Sequence, residues 1–122
     1  MGTWAAGPFS NDSALDFVGD VTDDLIKAIE DFVESPEIDE TFEPAFAAVA
    51  LLNVIGKAVS AYIPEPEQVR MWRDVFLACY DDQIDGMDPD PKFKREHREA
   101  LEGELDQLVQ RSESFHAGPD AT

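Results

Sequence analysis

From Leu15 to Val33 the apolar residues recur at steps of three or four: Leu15, Val18, Val21, Leu25, Ile29, Phe32, Val33. That period lays one stripe along a helix and has no counterpart in a strand. Asp16, Asp20, Asp23, Asp24, Asp31 and Glu34 fall largely on other faces, so the pattern predicts an amphipathic helix. Asn11 or Asp12 is placed to cap its start. Pro36 ends it, because a proline pushes the residue before it, here Ser35, out of helical geometry.

The same logic carries through the chain. Pro44 suits the first turn of a second helix, expected over Ala45–Tyr62. That segment is apolar nearly all round, interrupted by Asn53, Lys57 and Ser60, and is expected at the centre of a bundle. Pro64 and Pro66 precede a third helix, expected from about Glu67 to Ile84, with Val69, Trp72, Phe76, Cys79 and Tyr80 inward. Gly86, Pro89 and Pro91 break an Asp-rich loop. A fourth helix is expected from about Pro91 to Ser112, with Phe93, Ala100, Leu101, Leu105 and Leu108 inward. No useful run alternates as a strand would, and no repeat is present. The expectation is an all-α fold: a small four-helix bundle with a structured, non-helical N-terminal lead-in, forming one domain over residues 1–115. Residues 116–122, with Gly118 and Pro119, read as a flexible tail. A length of 122 residues fits one domain.

Charge narrows the function classes. The chain carries 27 Asp and Glu against 9 Lys and Arg, a formal charge of −18. A field of that sign repels nucleic acid and anionic membranes and steers basic partners, while also favouring solubility. Seven carboxylates crowd the stretch from Glu30 to Glu43 with no base among them: Glu30, Asp31, Glu34, Glu37, Asp39, Glu40 and Glu43. The basic residues Lys92, Lys94, Arg95, Arg98 and, further on, Arg111 are interleaved with Glu96, Glu99 and Glu102, as in ordinary surface pairing on a helix. Cys79 is alone, so no internal disulfide is expected, and its apolar neighbours suit a small hydrophobe. Neither a secretory signal nor a bilayer-spanning run is legible, and a cytoplasmic address is expected.

Chemistry-bearing motifs are sparse. Asp81, Gln83, Asp85 and Gly86 match the start of a calcium loop, but Lys92 stands where its closing Glu belongs and Pro89 departs further. Glu113 and His116 are spaced as half of a di-iron motif, without the second copy such a site needs. Two histidines and one cysteine do not compose a zinc site, and no phosphate loop or nucleophile elbow occurs. No metal, cofactor or catalytic residue is expected.

The opening Gly2-Thr3-Trp4-Ala5-Ala6-Gly7-Pro8-Phe9-Ser10-Asn11-Asp12-Ser13-Ala14-Leu15-Asp16 resembles the start of a bacterial family catalogued as domain of unknown function 4259. The matched positions are Gly2, Trp4, Gly7, Phe9, Asn11, Asp12, Ala14 and Asp16; Ala5 replaces the family's usual Gly, and Phe17 its usual Trp. The stretch Ala45–Pro64 is also similar. The resemblance implies one compact domain across most of the chain and transfers no activity. The motif makes structural sense, with Trp4 and Phe9 packed on the bundle behind a helix cap. The functional alternative is a pocket lined by Trp4, Phe9, Asn11 and Asp16.

Three functions are therefore carried forward. The first is an interaction protein whose acidic band captures a basic protein, an immunity-type toxin inhibitor being one form. The second is a nucleic-acid mimic that blocks a DNA-binding enzyme. The third is a small-ligand binder or enzyme using the N-terminal pocket. The partner is expected to be a basic protein, without direct nucleic-acid or membrane contact. The oligomeric state is not encoded legibly.

Overall fold

The computed structural model describes residues 7–117. Four α-helices form the expected all-α bundle: α1 over Asp12–Glu34, α2 over Phe42–Ala58, α3 over Pro66–Gln83 and α4 over Pro91–Ala117. A short 3-10 turn, Ile84–Met87, extends α3. Asn11 is the cap of α1, its Oδ1 accepting from the Ala14 amide at 2.9 Å. Trp4 and the rest of residues 1–6 lie outside the described residues, as do residues 118–122.

The helices pack in a ring, α1 on α2, α2 on α4, α4 on α3 and α3 on α1. Side-chain ties give the directions. Asn53 reaches Glu104 and His116 reaches Ile63, so α2 and α4 run parallel. Arg98 reaches Asp81 and Arg70 reaches Glu113, so α3 and α4 run antiparallel. The core is aromatic at one end, where Phe32 and Phe76 lie 4.5 Å apart and Phe42 closes on both. Ile29, Val49, Val69, Trp72, Leu101, Leu105 and Leu108 fill the remainder, all fully buried. Interleaved burial of this kind, each large side chain stabilising by roughly 1.5–3 kcal/mol, is what holds a fold with so much self-repulsion.

Several expectations shift. The deepest line on α1 is Thr22, Ile26, Ile29 and Phe32, so the stripe is rotated from Val21 and Leu25, which are half-buried flanks. The helix turns a broad face rather than a single row toward α2 and α3, and Ile26 takes its centre. Helix α2 is not the central helix. It is buried along Phe42, Ala45, Val49 and Leu52, but Leu51 and Val54 on its outer side remain 47% and 59% exposed. It packs mainly on α1 and α4, touching α3 through Phe42, and one side of an apolar helix is left to solvent.

Helix α2 also starts earlier and stops earlier than its composition suggests. Phe42 opens it because that ring belongs to the core. Val59 is extended, at φ −155° and ψ 149°, and ends it four residues before Tyr62. The strand-like exit is tied to α4: Ser112 Oγ donates to Pro64 O at 2.5 Å, and His116 Nε2 lies 2.7 Å from Ile63 O. Helix α4 therefore continues through Ala117, two residues into the stretch expected as tail. Its inner line is Leu101, Leu105, Leu108 and Ser112; Ala100 is exposed, and Phe93 is 53% exposed, stacked on His97 at 4.9 Å.

Candidate binding surfaces

The acidic band is built on the α1–α2 turn. Glu30, Asp31 and Glu34 close α1, Glu37, Asp39 and Glu40 occupy the connector, and Glu43 stands in the first turn of α2. All seven are exposed. The connector is fastened rather than loose. Thr41 donates its amide and hydroxyl to Asp39 Oδ1 at 2.8 and 2.7 Å, and Ile38 donates its amide to Gln83 Oε1 at 2.8 Å. Gln83 Nε2 in turn donates to Pro36 O at 3.3 Å. The Thr41 bonds hold the Asp39 carboxyl below the ordinary carboxylate range.

Compensation by cations is uneven. Between Asp12 and Glu43 stand twelve carboxylates against Lys27 alone. Among the described residues no Lys or Arg pairs with any of them; the nearest approach is His97 Nε2, 3.4 Å from Glu43. The cations instead zip α3 to α4. Arg98 binds Asp81 through two bonds of 2.7 and 2.9 Å, Arg73 meets Asp106 at 2.6 Å and Glu102 at 3.3 Å, and Arg70 meets Glu113 at 2.6 Å. Those bonds lower the Asp81 carboxyl and raise the Arg98 and Arg73 guanidinium groups. One flank of the molecule is thus partly compensated by its own cations, and the other presents unopposed negative charge.

The same pairing disposes of the metal-like motifs. Asp81 and Asp85, the leading ligands of the calcium-like loop, are held by Arg98 and by Lys94 at 2.6 Å, and the segment is helical instead of looped. Glu113 is committed to Arg70 and His116 to the Ile63 carbonyl, so that pair converges on no shared point. Among the described residues no three His, Cys, Asp or Glu side chains gather as metal ligands would. Cys79 is buried, and burial raises its thiol, reinforced by Asp82, Asp39 and Glu37.

Of the residues expected to line an N-terminal pocket, Trp4 lies outside the described residues, Asn11 is occupied as the cap, Phe9 is 40% exposed and Asp16 is exposed. The three grooves lined by residues of α2, α3 and α4 include none of Phe9, Asn11 and Asp16.

A cleft that sequence reasoning missed opens where α2 ends. It has a volume of about 620 Å3, against about 380 and 460 Å3 for two other grooves beside α3. Its polar lining is Lys57, Ser60, Gln107, Gln110, Arg111 and Ser114, and among the described residues it contains no carboxylate. Arg111 was grouped with the basic residues at the start of α4, but it sits more than three turns further along and has none of their acidic partners among the described residues. A sequence signal existed in Gly56: a glycine inside an apolar helix marks a close approach, here that of the Arg111 side chain.

The family model described as "Domain of unknown function (DUF4259)" matches residues 2–116. No curated protein and no solved structure matches the chain. Among the described residues no helix is long and apolar enough to cross a membrane.

Proposed function

The chain belongs to that family of unknown function, and we propose that it works by binding, using the acidic flank formed by α1 and the α1–α2 turn to capture a basic protein. One observation carries this: the carboxylates from Glu30 to Glu43 are exposed on a turn pinned by hydrogen bonds, and among the described residues no Lys or Arg pairs with them. A pinned array loses little freedom on binding, which favours affinity, and its unopposed field speeds encounter with a positive partner. A protein that inhibits a basic toxin by covering it is one form of such a partner.

The test compares the wild-type chain with a variant neutralised at E37Q, D39N, E40Q and E43Q as baits in lysate of the cell that makes it. The expected outcome is a basic protein held by the wild type at low salt and lost from the variant. Identical captures by the two baits contradict the proposal. Release of the captured protein by added DNA would place its nucleic-acid site under the acidic flank, the outcome a nucleic-acid mimic requires.

A further inference from the structure

We propose that the cleft between the end of α2 and the last turns of α4 is a binding site for a small oxyanion, a carboxylate or phosphate group carried on a small molecule. It lies at the far end of α2 from the acidic band, about 25 Å along a helix of 17 residues, and does not depend on the function proposed for that band.

The lining composition is the first argument. In a chain with 27 carboxylates among 122 residues, this cleft has none among the described residues, yet it gathers Lys57 and Arg111. Ser60 and Ser114 add hydroxyls, and Gln107 and Gln110 add amides. Together they form the donor set that oxyanions take: a guanidinium fork, an ammonium point charge and neutral donors between them.

The state of Arg111 is the second. Arg70, Arg73 and Arg98 each hold a carboxylate at 2.7 Å or less. Arg111 is half-buried, makes no ion pair among the described residues, and its buried Nε finds no hydrogen-bond partner. A guanidinium kept only to cap the end of α2 would donate to the free carbonyls there. A guanidinium without a carboxylate partner at the wall of a polar cleft is instead the arrangement expected where a ligand's oxygens supply the missing partner.

Gly56 is the third. A Cβ at this position would lie 3.1 Å from Arg111 Nη1 and 3.3 Å from its Cδ. The bare backbone lets the side chain lie against α2, which holds the fork in place by packing and leaves its donors uncommitted. Val59 and the non-helical residues after it then form the opposite wall, so the early end of α2 is what opens the cleft.

Heteronuclear NMR of the whole chain tests this, with inorganic phosphate titrated in one arm and succinate in another, ionic strength being held with sodium chloride. Saturable shifts are expected at Lys57–Ala61 and Gln107–Phe115, with a dissociation constant of about 1 mM or tighter for at least one ion. Saturation by phosphate alone identifies a phosphate site, and by succinate alone a carboxylate site. R111Q and K57Q are each expected to weaken binding about tenfold or more. G56A, which favours the helix while displacing the guanidinium, is expected to weaken binding without loss of thermal stability. K57Q and G56A keep the test decisive if R111Q impairs folding. Absence of saturable shifts with either ion up to about 50 mM overturns the proposal. So do shifts that persist unchanged in K57Q and G56A.

Discussion

Asn53 donates from one amide nitrogen to two oxygens of the same residue, the backbone carbonyl of Glu104 and its carboxylate, each at 2.9 Å. Asn53 is only 1% exposed, and the bonds fix α2 and α4 in parallel register between the leucines of the core. Asn53→Ala is therefore expected to cost about 1–3 kcal/mol, read from denaturant unfolding. A loss below about 0.5 kcal/mol would mean the amide only fills space.

The Asp81–Arg98 pair predicts a pH dependence with a definite sign. Its two hydrogen bonds lower the Asp81 carboxyl below its ordinary 3.8, so the folded state binds a proton there less readily than the unfolded chain. The stabilisation is complete above that ordinary value and is lost as pH falls through the folded one. The pair is half-exposed, so the effect is about 1 kcal/mol or less. Thermal melts of the wild type and D81N should differ near neutral pH and converge below about pH 3. A gap that persists in acid would contradict the assignment.

Cys79 is shielded by burial inside α3, with its thiol raised above the ordinary value. Alkylation at mildly alkaline pH should proceed only as fast as the fold opens, and denaturant should accelerate it by orders of magnitude. Labelling at the rate of a free thiol would show that α3 does not pack as described.

Self-repulsion on the α1 flank should make stability depend on salt. Raising sodium chloride from near zero to about 0.5 M shortens the screening length from tens of ångströms to a few, and the melting temperature should rise. Neutralising Glu34, Glu37 and Glu40 to glutamine should raise the low-salt melting temperature and flatten its dependence. Equal curves would mean these charges are already compensated.

Much of the bundle was legible because proline and apolar spacing act locally. Pro36, Pro66 and Pro91 bound helices in the sequence as they do in the fold, and Val69, Trp72, Phe76, Cys79 and Tyr80 turn inward as their spacing predicts. Neighbour-dependent features were not. Leu51 and Val54 look as apolar as Val49 and Leu52, and they are exposed because α1 and α4 cover only the other side of α2. The end of α2 depends on Ser112 and His116, each some fifty residues away, bonding to Pro64 and Ile63. The acidic band was visible as composition, but its rigidity comes from Gln83, on another helix. Arg111 looked like one more basic residue of α4, and its isolation from carboxylates appears only once α2 is laid beside it.

The affinity for the chain of a basic protein that it captures, measured as a function of salt with the wild type and with E37Q/D39N/E40Q/E43Q, bears most directly on the proposal that the acidic flank is the working surface. The dissociation constant should rise steeply with salt for the wild type, and at low salt the variant should bind about tenfold or more weakly, with a flatter dependence. Equal affinities and equal salt dependence for the two proteins would show that the partner is held somewhere else.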